Sequence, residues 1–182
     1  MTTPRHHLEY LRDKRAARAE IEARVRSGEL VTTTVRATVT AEGRSGLRRI
    51  RIRDHQLLSD SAVDFAGYDL GPTSPELQIG TLGSCLVHTF LIHAAVQQIP
   101  LHAIEVEVSA DLDARAGVAG FEDIAPQPGN IRYAVRISSP APRQRLLDLH
   151  RHVERTCPVL NLVRLPNDVH ASLVIDDPAV LG

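Results

Sequence analysis

Cysteine is scarce in this chain, with two among 182 residues, which excludes a disulfide-built scaffold and leaves the fold to an apolar core. An excess of either charge is also missing. Lys and Arg number 21 against 22 Asp and Glu, a net charge of −1, so no broad attraction to nucleic acid or to an anionic membrane is implied. The N-terminus has no apolar stretch and mixes Arg12, Lys14, Arg15 and Arg18 with Glu9, Asp13 and Glu20. It therefore reads as neither a secretory signal nor an acid-poor transit peptide, and a cytoplasmic location is expected. The longest apolar stretch, Leu86 to Val96, is interrupted by His88, Thr89 and His93 and is too short to span a bilayer. Repeats, low-complexity tracts and interior linkers are absent as well. What is present is 43% apolar content, enough at this length for one domain to bury its own core.

Residues 5 to 27 carry Leu8, Leu11, Ile21 and Val25 among alternating charges and stop at Gly28, which predicts a solvated helix packed on one narrow stripe. From Val31 to Val39 the period becomes two, and a turn at 41 to 46 returns the chain into Leu47 to Arg53, a β-hairpin. Arg49, Arg51 and Arg53 share one face of the return strand. Glu105, Glu107, Asp111 and Asp113 alternate in the same way further on, so basic and acidic outer faces are expected to neutralise one another across a sheet rather than bind nucleic acid. Ser74-Pro75-Glu76 predicts a capped helix start. Gly80 and Gly83 predict a kink or break, and Leu86 to Gln98, apolar on nearly every face, predicts a buried central helix. Strands at 103 to 113 and 131 to 138, a helix opened by Pro142 and ended at Cys157-Pro158, and a last strand from Val169 to Ile175 complete an α+β fold, with an antiparallel sheet against a buried helix.

Cys85 lies in Gly83-Ser84-Cys85 at the expected start of that central helix, and Cys157 lies in Thr156-Cys157-Pro158. A thiol reacts as its thiolate, and a helix N-terminus favours the thiolate. A second thiol offers the oxidised sulfur a partner, so the pair reads as a redox dithiol; the bland alternative is two small buried hydrophobes. Arg44 sits in the hairpin turn between Gly43 and Gly46, where the backbone turns tightly and the guanidinium is free to reach outward. Glu76 and Cys85 are nine residues apart. On one straight helix that is about 13.5 Å of rise and half a revolution beyond two turns, so their cooperation requires a break or a second subunit.

The order Gly43-Arg44-Ser45-Gly46, Pro75-Glu76-Leu77, Leu82-Gly83-Ser84-Cys85-Leu86 and Cys157-Pro158-Val159 resembles the family of osmotically inducible protein C and the organic hydroperoxide resistance proteins. The resemblance runs from about residue 31 to 176, and it divides the chain into an N-terminal charged helical extension, 1–30, and a family domain, 31–182. It implies an intertwined homodimer, with antiparallel sheets wrapped on two central helices. By resemblance Cys85 is the peroxidatic thiol, Cys157 the resolving thiol, Arg44 the cation that stabilises the thiolate, and Glu76 the carboxylate that holds the arginine. The activity implied is thiol-dependent reduction of organic hydroperoxides without a bound cofactor, with an external lipoyl or thioredoxin-like dithiol as reductant. Two other readings stay open. One is a non-enzymatic dimeric module of the same fold that senses redox state or binds a small ligand. The other is a metal-bound thiol, with Cys85 and His88 joined by His93 or His152, since thiolate and imidazole are zinc ligands.

Overall fold

In a computed structural model of the chain, residues 4–43 and 45–175 are described. Helix α1, Pro4–Arg26, is followed by Gly28 in the left-handed region (φ 77°), which stops the helix. Of its stripe, Leu11 is buried, while Leu8, Ile21 and Val25 remain exposed. Strands β1 (Thr38–Ala41), β2 (Arg48–Ile52) and β3 (His55–Ser59) form an antiparallel three-stranded sheet in the order β1-β2-β3. The expected hairpin is there in the register Val39 to Ile50. The strand expected from Val31 begins only at Thr38, because residues 31 to 37 have no ladder partner among the described residues and lie exposed. Strand β3 was not foreseen. Its turn, Arg53-Asp54, carries no glycine or asparagine, yet Arg53 adopts φ 53°, a conformation those residues ordinarily supply.

After β3, Asp60 is fully buried and its carboxylate accepts backbone N–H groups of Ser61, Tyr68 and Leu70 at 2.8, 3.0 and 3.2 Å. The N–H of Ser61 foremost, with those of Leu70 and Tyr68 and the nearby Arg48 charge, holds this carboxyl below the usual aspartate range against the opposing effect of burial. The stability it contributes is therefore complete above the ordinary aspartate pKa and is lost as pH falls through the lowered one. The loop closes so tightly that a Cβ on Gly67 would lie 1.9 Å from the Ser61 carbonyl oxygen. Gly67→Ala is expected to cost about 1–3 kcal/mol through that overlap. A lowered denaturant midpoint with faster proteolysis between residues 60 and 71 would show it, and an unchanged midpoint would contradict the packing described.

Helix α2, Ser74–Val96, runs unbroken for 23 residues, so the expected break at Gly80 and Gly83 does not occur. Gly83 has another purpose: a Cβ there would sit 3.2 Å from Val108 Cγ2, and its absence lets a strand approach the helix closely. The N-cap is Thr73 rather than Ser74, and Glu76 folds back onto it. By length and composition α2 could cross a membrane; in this fold it is the core helix, with Leu82, Leu86, Phe90 and Ala94 buried. Strands β4 (Ala103–Asp111) and β5 (Gly129–Ser138) form a second antiparallel sheet whose Ile104, Val106 and Val135 pack onto that core. The acidic face of β4 is neutralised by its own sheet. Arg132 binds Asp111 at 2.8 Å and Arg136 binds Glu105 at 3.2 Å, while Arg49 of β2 pairs with Glu42 beside β1. The expected pairing of β2 charges with β4 charges fails because the two strands lie in different sheets.

Helix α3, Arg143–Thr156, buries Leu149 and Val153, and the short helix α4, Pro158–Arg164, buries Leu160. The last expected strand does not form. Residues 169 to 175 carry no ladder, and Val169, Leu173 and Ile175 are more than four-fifths exposed (87%, 84% and 83%). The alternation is a strand pattern, but no strand among the described residues receives it. The architecture is α+β, two small antiparallel sheets with a central helix and its companions.

Candidate active site

Pro158 forces the preceding residue out of helical geometry. Cys157 accordingly has φ −69° and ψ 115°, ending α3 and beginning α4 in one step. The corner turns the Cys157 side chain into the core, where it is fully buried. Its thiol meets that of Cys85, 72 residues away in sequence, at an Sγ–Sγ distance of 3.5 Å. Both are free thiols in this structure. A disulfide bond is about 2.05 Å long, so a small adjustment separates this pair from a bridge.

Cys85 occupies the middle of α2 and not its start, which removes the helix-dipole argument made from sequence. The helix terminus beside it belongs to α4, whose Val159 backbone N–H favours the Cys85 thiolate. Thr89 lies one turn along and donates to the Cys85 carbonyl at 2.8 Å. Burial pushes the Cys85 thiol above its ordinary pKa, and the neighbouring Cys157 adds to that; the Val159 N–H and Thr89 act in the opposite direction without reversing it. Within one chain, then, the described neighbours hold Cys85 protonated at neutral pH.

Glu76 lies at the first turn of α2, where its Oε2 accepts the backbone N–H and the hydroxyl of Thr73, both at 2.7 Å. The Thr73 hydroxyl and then its N–H keep this carboxyl below the usual glutamate range. With α2 unbroken, Glu76 and Cys85 stand about 13.5 Å apart along the axis on opposite faces. Arg44 falls outside the described residues. The single chain thus brings Cys85 and Cys157 together and leaves Glu76 apart from them.

The histidines considered as metal ligands go elsewhere. His88 Nδ1 meets Lys14 Nζ of α1 at 3.5 Å. His93 Nε2 meets Thr156 Oγ1 at 2.9 Å and its ring meets the edge of His152. Burial first, then the His152 and Arg18 charges, push His93 down to about 4. Among the described residues no three His, Cys, Asp or Glu side chains converge as a metal site.

A polar group next to Cys157 was not singled out from sequence. Tyr133 of β5 donates its hydroxyl to Glu154 Oε1 at 2.9 Å and lies 3.3 Å from His150 Nε2, and Arg164 donates to the same Glu154 oxygen at 3.1 Å. Burial, then the hydrogen bond to Glu154, pushes the tyrosine up to about 12. Burial works upward on Glu154 too, but the bonds from Tyr133 and Arg164 outweigh it and its carboxyl ends below the ordinary range. Tyr133 and Glu154 are far apart in sequence, and the only signal available was the spacing of His150, Glu154 and Cys157 on one side of α3. A cavity of about 600 Å³ adjoins this group, walled by Phe90, Val135, Ile137 and Leu146; neither cysteine lines it.

Comparison with known proteins identifies the family and the fold. Residues 67–172 match the sequence model of the OsmC family, described as OsmC-like protein. Among solved structures, the OsmC-like protein of Mycoplasma pneumoniae superposes with TM-score 0.63 at 15% identity, over 74% of this chain and 89% of that one. An OsmC-like protein of Vibrio cholerae gives TM-score 0.55 at 15% identity over 72% and 94%. An organic hydroperoxide resistance protein OsmC of Legionella pneumophila gives 0.52 at 18% identity over 74% and 92%. None of the curated proteins matches the chain.

Proposed function

The chain belongs to the OsmC-like protein family, and from that membership we propose that it reduces organic hydroperoxides through Cys85 and Cys157. The observation that carries this reading is the meeting of the two thiols at 3.5 Å from distant parts of the chain. The Cys85 thiolate attacks the terminal peroxide oxygen, the O–O bond breaks, and the alcohol leaves after taking a proton, with Cys85 now a sulfenic acid. The Cys157 sulfur displaces that hydroxyl as water and an intramolecular disulfide forms. An external dithiol then takes the oxidising equivalents by thiol–disulfide exchange and restores both thiols.

The working unit in this proposal is a homodimer. Val35, Val39, Leu57 and Leu58 around the first sheet, and Leu173 and Ile175 near the other end, are all exposed on the single chain. So much apolar surface calls for cover, and two extended segments without ladders call for strand partners. A second copy supplies both, and it allows Arg44 to bridge Glu76 to the thiol across the interface, as the unbroken α2 requires. That cation would offset the burial that holds Cys85 protonated.

One feature favours a second reading: a half-buried thiol whose pKa burial pushes up suits a slow redox sensor or ligand-binding module better than a rapid peroxidase. Steady consumption of cumene hydroperoxide by the purified protein with a dithiol reductant distinguishes them. Many turnovers per thiol pair support the peroxidase; a single oxidation without turnover supports the sensor.

A further inference from the structure

The corner carrying Cys157 leaves carbonyl groups at the end of α3 without intrahelical partners. One side chain gathers them. Asn161 of α4 directs its amide nitrogen to the carbonyl oxygens of Cys157, Arg155 and Glu154 at 2.8, 3.3 and 3.4 Å. Its backbone N–H donates to the Cys157 carbonyl as well, at 3.1 Å. A side-chain amide has two N–H donors and no charge, so it can be shared among three acceptors at a helix corner where a carboxylate would be repelled. The backbone of Cys157 is held twice by the same residue, and its sulfur rests 3.5 Å from Cys85.

We propose that Asn161 is the positioning residue that keeps Cys157 within bonding reach of Cys85. It rests on the reading of Cys157 as the resolving thiol. The corner has independent support in the Glu154 bonds from Tyr133 and Arg164 and in buried Val153 and Leu160. Loss of the amide therefore loosens the placement of Cys157 without removing the helices around it. Looser placement lowers the effective concentration of one thiol at the other, and this shows directly in the disulfide equilibrium.

The test equilibrates the full-length protein, Asn161→Ala and Asn161→Asp with mixtures of reduced and oxidised glutathione. Cys85 and Cys157 give up two electrons and two protons to form their disulfide, and oxidised glutathione accepts them to become two reduced molecules. Intact mass then gives the fractions of dithiol, intramolecular disulfide and glutathione adduct. Both variants should keep the wild-type circular dichroism and lower the equilibrium constant for the internal disulfide about tenfold. That is a potential about 30 mV more oxidising, with a matching rise in the glutathione adduct on Cys85. An unchanged equilibrium overturns the proposal, and so does loss of helix in both variants, which assigns Asn161 to folding alone. If wild-type protein forms the disulfide and responds as stated but never turns over hydroperoxide, the positioning role stands and the peroxidase reading falls. If it turns over hydroperoxide while Asn161→Ala leaves the equilibrium unmoved, the reverse holds.

Discussion

Replacing Cys85 with serine is expected to abolish hydroperoxide consumption, whereas replacing Cys157 with serine is expected to leave a protein that reacts once and is then lost. The asymmetry follows from position. Cys85 is half-buried, has its thiolate favoured by the Val159 N–H, and sits on the long central helix, while Cys157 is fully buried behind it. In the proposed reaction a peroxide therefore meets the first before the second. In Cys157→Ser the sulfenic acid formed on Cys85 has no thiol within 3.5 Å to condense with, so it persists, can be trapped by dimedone, and advances to sulfinic acid under excess peroxide. Full activity in Cys85→Ser, or faster alkylation of Cys157 than of Cys85 at neutral pH, would reverse the two roles.

The second large effect concerns charge. Burial holds the Cys85 thiol above its ordinary pKa, so the proposed site depends on a cation to generate thiolate, and Arg44 is the residue assigned to it. A guanidinium beside an ionising group typically shifts its pKa by about 1–3 units. Arg44→Ala is thus expected to raise the Cys85 pKa further and to slow its reaction about tenfold for each unit, as long as the pH lies below the wild-type pKa. The sign gives the test its shape. The deficit is full below the wild-type pKa, shrinks above it and closes as pH rises through the raised pKa, where base supplies the thiolate the arginine no longer stabilises. Iodoacetamide alkylation of Cys85 against pH reads this directly, and a midpoint identical to wild type removes Arg44 from the role.

Much of the fold can be read along the chain where the signal is local. Alternation located β1 with β2, and β4 with β5, and continuous apolarity located α2. The errors arise where a neighbour distant in sequence decides. Gly83 looks like a helix breaker until Val108 is seen against it. Residues 169 to 175 alternate as a strand, yet a strand exists only where a ladder receives it, and none among the described residues does. Strand β3 was hidden by a turn whose left-handed residue is an arginine. At the site, both cysteines stand out by their sequence neighbours, but the helix terminus that favours the Cys85 thiolate is that of α4, 74 residues on at Val159, and not that of its own helix. Asn161 and the Tyr133–Glu154 pair are not legible in the sequence, because hydrogen bonds to carbonyls and across a sheet–helix junction leave no periodic trace.

Oxidation of Cys85 and Cys157 as a pair by an organic peroxide is the central step of the proposed function. Intact mass of the reduced protein before and after one equivalent of cumene hydroperoxide decides this, with non-reducing digestion to identify the linked peptides. The expected result is loss of two hydrogens with Cys85 and Cys157 joined within one chain. Retention of both thiols with no change in mass, or stable addition of one oxygen to Cys85 while Cys157 stays reduced, would contradict it.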